Sequence, residues 1–236
     1  MRISLIRYLL FALILVLSGL DLIAQGNQTD RDFETWSSVT LFYKPVKKLR
    51  IGLNVQIRLK DNSSTIDVYF TQLSLRYALP SDVSLVAAGR FIRENDDVGK
   101  IQGYENHFRW HADLRYKNEI DRLELKYRLR YQSKDELGIT TDAVRSAWRF
   151  RLGASYNIRK WKWDPTLTAE IFNGLTFNDG PYKMRYTLGT EYKTKDLGTF
   201  GLFYRMERSM RMDPLEITDI AGFNYEYTLK RKNDKN

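Results

Sequence analysis

Arginine and glutamate residues at every second position are the side chains in this sequence with the clearest capacity for chemistry. In LELKYRLRYQ, which runs from Leu123 to Gln132, Glu124, Arg128 and Arg130 alternate with leucine and tyrosine. Successive side chains of a β-strand point to opposite faces, so this segment predicts a ribbon with one apolar and one charged face. If such arginines are enclosed, they must be paired or hydrated, and if they line a passage they favour anions.

The same alternation recurs along most of the chain. In RIGLNVQIRLK (Arg50 to Lys60) the odd positions are aliphatic, and in YENHFRWHADLRYK (Tyr104 to Lys117) the even positions are mostly aromatic or aliphatic. We therefore assign the intervening charged residues to one shared face. The candidates for this charged face are Arg58, Arg76, Arg90, Glu105, Arg109, Asp113, Arg115, Glu124, Arg128, Arg130, Arg149, Arg151, Glu170, Arg185, Glu191, Arg205 and Glu207.

Catalytic and metal chemistry have weaker support. His107 and His111 share a face four residues apart, which is roughly 13 Å on a strand, so they cannot jointly bind one metal ion. A hydrolase needs a serine beside a histidine and an orienting group, and only Ser146 or Ser155 could approach across a sheet. We predict no enzyme, no metal and no cofactor, with an outer-membrane lipid-modifying enzyme as an alternative.

The first residues have the pattern of a secretory signal peptide. Arg2 and Arg7 precede an apolar run from Tyr8 to Leu17, and Ala24 precedes Gln25. The apolar run is shorter than the roughly 20 residues of a spanning helix, which disfavours an uncleaved anchor. We predict a signal peptide over residues 1–24 and a single exported domain over residues 25–236.

Composition indicates which face of the ribbons meets water. The chain has no cysteine, a negative mean hydropathy and 14% aromatic residues, which excludes a disulfide framework and a bundle of membrane helices. The apolar faces together hold too many large side chains for the interior of a small soluble barrel. Tyrosine and tryptophan also cluster near ribbon ends, as in an interfacial girdle. We predict apolar faces against lipid and charged faces around a lumen, with a soluble periplasmic β-sandwich binding protein as an alternative.

The connections between the ribbons predict how they are joined. Short turns such as Lys44–Lys48 alternate with longer polar loops such as Glu94–Gly103, the rhythm of an outer-membrane barrel. We count about eleven ribbons, but bacterial single-chain barrels have even numbers. Residues Gln25–Asp32 would then supply an extra strand or thread the lumen. The expectation is one closed antiparallel transmembrane β-barrel of about twelve strands, with ten as the alternative.

Several segments resemble one known family. FETWSSVTLFYKP, RLKDNS, RLELKYRLRYQ, VRSAWRFRLGASYNI, PTLTAEIFNG and YKMRYTLGTEYK resemble the outer-membrane family catalogued as domain of unknown function 2490. The resemblance covers nearly the whole mature chain and implies a β-barrel in the outer membrane without implying an activity. In addition, IAGFNYEYTL (Ile220 to Leu229) resembles the C-terminal strand signal that the barrel-insertion machinery reads.

These observations predict an integral protein of the cell outer membrane. Its role is either structural or assembly-related, or that of a narrow anion-preferring pore. The expected partners are outer-membrane lipid, the barrel-insertion machinery during biogenesis and, for the pore, small anionic solutes. Nucleic acid is not expected, because the basic residues alternate with bulky apolar ones and form no surface patch.

Overall fold

The described part of the chain is all-β. A computed structural model describes residues 29–97, 102–139, 144–176, 179–212 and 214–229, and the predicted signal peptide lies outside these residues. Within these ranges, no helix is long and apolar enough to cross a membrane. The strands are β1 (Thr29–Val46), β2 (Leu49–Lys60), β3 (Thr65–Ala78), β4 (Val83–Asp96), β5 (Gly103–Ile120), β6 (Leu123–Glu136), β7 (Arg145–Tyr156), β8 (Trp163–Gly174), β9 (Gly180–Lys193), β10 (Thr199–Ser209) and β11 (Leu215–Leu229).

The eleven strands of the described residues form one closed barrel, which confirms the predicted barrel but corrects its strand number. Neighbours along the chain pair antiparallel, whereas β1 and β11 pair in parallel from Thr29↔Leu215 to Tyr43↔Leu229. The predicted count of about twelve strands is therefore near the observed eleven, and the antiparallel closure is corrected to one parallel pair. The reason is that Thr29–Asp32 lengthens β1 along β11 instead of forming another strand. A parallel ladder also pairs the backbone groups of both edges, so the odd number still closes.

The strands extend further than the apolar alternation predicts. They contain between 11 and 18 residues, and the polar residues Ser133–Glu136, which follow the alternating segment LELKYRLRYQ, belong to β6. Backbone pairing depends on N–H and C=O groups, which every non-proline residue carries, so a ladder continues where side chains have become polar. The rims of the barrel are consequently built from strand ends with polar side chains.

The barrel has an apolar outside and a mainly polar inside. Val55 and its neighbours on the outer face are about half exposed, with Val55 itself at 51%. The interior nevertheless contains an apolar cluster, formed by Val68, Phe70 and Ile92 on β3 and β4. This cluster occupies part of the interior between β3 and β4, next to the charged side chains of the same strands. An eleven-stranded barrel lies between small filled barrels and wide porins, which agrees with a partly filled interior.

Gly222 provides a sharp test of the packing between β10 and β11. It lies on β11 directly opposite Phe203 of β10, and a Cβ atom at Gly222 would lie 2.0 Å from Cζ of the Phe203 ring. We expect Gly222→Ala to displace this ring and to destabilise the barrel by about 1–3 kcal/mol. Thermal unfolding of the purified protein, followed by circular dichroism, measures the effect.

Gly201 is the matched control, because a Cβ atom there meets its nearest neighbour at an ordinary 3.6 Å. Gly201→Ala should therefore change the melting temperature little. Adding Phe203→Ala to Gly222→Ala should recover part of the lost stability, since the displaced ring is then absent. An unchanged melting temperature for Gly222→Ala would contradict the close packing of the Phe203 ring against the β11 backbone.

Candidate functional site

The interior is organised by a row of charged side chains that crosses six neighbouring strands. Six side chains on successive strands lie opposite one another, and we call them the charged row: Arg115, Arg128, Arg151, Glu170, Arg185 and Glu207. Its first three members are arginines placed directly opposite one another on β5, β6 and β7. Like charges at such positions repel, so the row requires carboxylates or other anions nearby. Within the row, carboxylates enter only on β8 and β10.

Glu170 is the centre of the ion pairs around the charged row. Its Oε1 atom accepts hydrogen bonds from Arg149 Nε at 2.8 Å and from Arg128, and Arg185 Nη1 lies 3.7 Å from Oε2. The residue is only 3% exposed. Three guanidinium groups thus share one buried carboxylate, and the positive charge around it exceeds the negative charge.

Two further buried carboxylates hold the remaining ion pairs of this region. Asp113 accepts hydrogen bonds from Arg130 Nε at 2.6 Å and from Arg115 Nη2 at 2.6 Å. Glu207 pairs with Arg185 and, at 3.0 Å, with Lys183 Nζ. A buried carboxylate is tolerated only when it is paired and hydrogen-bonded, so these contacts tie β5 to β6 and β9 to β10 inside the barrel.

A second group of arginines stacks on aromatic rings instead of pairing with carboxylates. The guanidinium carbon of Arg58 lies 3.7 Å from the centre of the Trp36 ring, and that of Arg90 lies 3.6 Å from the centre of the Phe70 ring. Arg205 similarly lies 4.5 Å from the Phe203 ring centre. Stacking on aromatic faces stabilises a guanidinium without neutralising its charge.

Among the described residues, no carboxylate lies within ion-pair distance of Arg58, Arg90, Arg109 or Arg205. Arg90 is held by Gln72 Oε1 at 2.7 Å from Nη2, and Arg205 Nε donates to Thr187 Oγ1 at 3.0 Å. Arg109 is the cross-strand partner of Arg90, so two uncompensated arginines face each other. These side chains form the uncompensated part of the interior charge.

The largest interior space is a cavity of about 680 Å³, which we call the central cavity. Among the residues that the structure describes, the lining of this cavity contains ten arginines and two lysines but only two glutamates. Both groups of arginines reach it, those that share Glu170 and those that stack on Trp36 and Phe70. The central cavity is therefore strongly cationic.

Two smaller cavities lie between the central cavity and the end of the barrel that carries the short turns between strands. A cavity of about 200 Å³ shares Arg151, Thr187 and Arg205 with the central cavity. It shares Lys126 and Glu191 with a third cavity of about 420 Å³, which also reaches Arg122 in the β5–β6 turn. The three cavities thus adjoin one another, with the shared side chains at their boundaries.

The structure brings most of the predicted charged-face residues together. Glu124 and Glu191 line the third cavity, and Asp113 lies buried between Arg130 and the half-buried Arg115. Arg76 bonds the buried Ser84, and Glu105 bonds His107 outside the central cavity. The candidates that line the central cavity are Arg58, Arg90, Arg109, Arg128, Arg130, Arg149, Arg151, Glu170, Arg185, Arg205 and Glu207.

Sequence reasoning missed the aromatic members of the site. Trp36 and Phe172 are 4% exposed and line the central cavity, although large apolar side chains were assigned to the outer face. Arg58 stacks on Trp36, and Arg149 lies 4.1 Å from the Phe172 ring centre. Strand parity offered a signal, because Phe172 is two positions beyond Glu170 and therefore shares its face.

The two histidines lie in different clusters. His111 has Asp113 3.9 Å from its Nε2 atom, whereas His107 Nε2 is 3.1 Å from Glu105 and 3.6 Å from Glu94. Glu105, His107 and Glu136 each bring one ligand atom within 4.8 Å of the others, a donor set that zinc and related metals accept. This group was not predicted from the sequence, because only His107 and His111 were considered together and Glu136 comes from the neighbouring strand.

The serines considered for hydrolytic chemistry bond other partners. Ser155 Oγ shares a 3.0 Å hydrogen bond with Thr166 Oγ1, and Ser146 Oγ accepts one from Tyr131 at 3.4 Å. Within the described residues, the hydrogen bonds of His107 lead to a carboxylate rather than to a serine. These contacts do not assemble a serine nucleophile with a histidine base.

Fold and interior together define a closed eleven-stranded β-barrel with an apolar outside and an arginine-rich inside. The chain belongs to the family described as protein of unknown function (DUF2490), which matches residues 33–213. This match confirms the family resemblance of the strand segments. No curated protein matches the chain.

Proposed function

We propose that this protein is an integral outer-membrane β-barrel whose interior forms a narrow, anion-preferring passage. The proposal rests mainly on one observation. A closed barrel with an apolar outside encloses a cavity of about 680 Å³, whose described lining carries twelve cationic and two acidic side chains. A soluble protein would be expected to have the opposite arrangement, with its charged side chains outside and its apolar ones inside.

The outer face supports insertion into a bilayer. Leu53, Leu73 and Phe150 are among many large apolar residues that are about half exposed around the barrel. A soluble monomer rarely exposes an apolar patch of more than a few hundred Å², whereas here the apolar residues recur on successive strands. Tyr77 and Tyr116, near the short-turn end, fit an aromatic girdle at a membrane interface.

The interior supports passage of anions rather than cations. The cavities adjoin one another, and arginine dominates the central one. A cationic wall lowers the energy of an anion and raises that of a cation, as arginine and lysine rings do in anion pores. Arg151 and Arg205 line both the central cavity and the next one, so the boundary between them is also cationic.

A structural barrel is the second candidate, and one observation favours it. The ion pairs of Glu170, Asp113 and Glu207 join neighbouring strands across the interior, as a rigid ionic core would. In that role the barrel is a structural or assembly-related component of the outer membrane and conducts no solute. Outer-membrane lipid and the barrel-insertion machinery are proposed partners in both roles, and neither role requires catalysis.

Planar-bilayer recording of the purified, refolded protein distinguishes the two candidates. For the passage we expect single-channel steps and, under a potassium chloride gradient, a reversal potential that shows chloride preference. Heat-modifiable migration in detergent gels first establishes that the barrel is folded, and the heat-denatured protein is the control. Folded protein without single-channel steps supports the structural barrel, and cation preference contradicts the anion passage.

A further inference from the structure

The central cavity contains guanidinium donors that have no acceptor in the surrounding protein. The Nε atoms of Arg58, Arg109, Arg128 and Arg185 are buried and make no hydrogen bond to the described residues. Arg128 itself is only 8% exposed. Buried donors without an acceptor are costly, so the fold retains these four arginines around the cavity at the expense of stability.

The uncompensated arginines also lie close enough to repel one another. Arg58, Arg90 and Arg109 come from β2, β4 and β5, and their charges interact unfavourably with each other. Arg149 on β7 and Arg185 on β9 act on Arg109 in the same way. An anion that contacts several of these groups at once would replace repulsion with attraction.

Aromatic rings hold two of these arginines in place. Arg58 lies over Trp36 and Arg90 over Phe70, so their planar groups are oriented before any ligand arrives. A guanidinium held in this way presents paired N–H donors to a carboxylate or phosphate at little further cost in conformational entropy. Preorganisation of this kind increases affinity.

We propose that the central cavity is a binding site for a compact, soluble, multivalent oxyanion that carries two or more phosphate-type groups. This inference rests on the proposed anion passage, because it concerns the same cavity. The volume of about 680 Å³ suits a small phosphorylated solute, and the cations on several strands around it match more than one anionic group. The closed, hydrogen-bonded wall keeps a membrane lipid from entering sideways, so the ligand comes from solution.

Isothermal titration of the purified full barrel in detergent, with pyrophosphate and orthophosphate as probes, tests the site. We expect pyrophosphate to bind at least about tenfold more tightly than orthophosphate, because a second phosphate reaches a second set of arginines. The double variant R58Q/R109Q should weaken pyrophosphate binding at least about tenfold. R159Q is the matched control, because Arg159 lies exposed in the β7–β8 turn and should leave binding unchanged.

Block of chloride current by pyrophosphate gives a readout that does not depend on any variant. Micromolar block supports the site, whereas chloride current together with no pyrophosphate binding overturns it and leaves the passage standing. Pyrophosphate binding by a barrel that shows no current overturns the passage and retains the site. Equal affinities for pyrophosphate and orthophosphate, or equal effects of R58Q/R109Q and R159Q, contradict a multivalent site.

Discussion

Replacing Glu170 by glutamine is expected to destabilise the barrel by about 3–5 kcal/mol, the usual cost of breaking a buried ion pair. Glu170 is the shared carboxylate of Arg128 and Arg149, with Arg185 close by. Glutamine is nearly the same size but removes the negative charge, so the guanidinium groups are left without compensation. Chemical unfolding in detergent micelles, followed by tryptophan fluorescence, measures the change.

Glu119 is the matched control for this substitution. It pairs with Lys117 at the short-turn end, where its side chain is 60% exposed. An exposed ion pair contributes about 0–1 kcal/mol, so Glu119→Gln should change stability little. Adding Arg149→Gln to Glu170→Gln should recover part of the loss, since one fewer cation then lacks a partner. Equal losses at Glu119 and Glu170 would show that the interior is hydrated enough to screen its charges.

Removing the charges of Arg58, Arg109 and Arg205 together is expected to abolish most of the anion preference. None of the three has a carboxylate within ion-pair distance among the described residues, so their loss leaves no buried carboxylate unpaired. The triple glutamine variant should therefore fold and still conduct. Its chloride-to-potassium permeability ratio should fall several-fold toward one, because the wall of the central cavity then carries three fewer cations.

Reversal potentials in asymmetric potassium chloride measure this ratio for each variant. Arg159→Gln is the control, because it removes the same type of charge from an exposed turn. Its permeability ratio should match that of the parent protein. If the triple variant keeps the parent ratio, selectivity arises elsewhere, and the central cavity is not the part of the passage that discriminates anions.

The orientation of each ribbon could be predicted from local sequence, as β6 illustrates. Alternation in LELKYRLRYQ assigned Arg128 and Arg130 to one face, and both line the central cavity. Trp36 shows where this reasoning fails. The apolar faces of the strands were predicted to meet lipid, yet this indole lies inside, stacked against Arg58. Hydrophobicity alone cannot separate a ring that faces outward from one that supports an interior arginine.

Strand number and register could not be predicted in the same way. The parity rule gave twelve or ten strands, whereas a longer β1 pairs in parallel with β11 and closes the barrel with eleven. Placing Arg115, Arg128 and Arg151 directly opposite one another depends on the pairing of three strands. A shift of two residues would keep every arginine inside and destroy the charged row.

Local sequence is enough to establish that the chain forms two-faced strands and which residues share a face, because successive side chains of a strand must alternate. The folded barrel is needed to establish which arginines share Glu170, which stack on rings and which remain without a nearby carboxylate around the central cavity. Those relations join residues on different strands, and they are set by hydrogen-bond register and barrel closure. Alternation is a local steric property, whereas register is a property of the closed sheet.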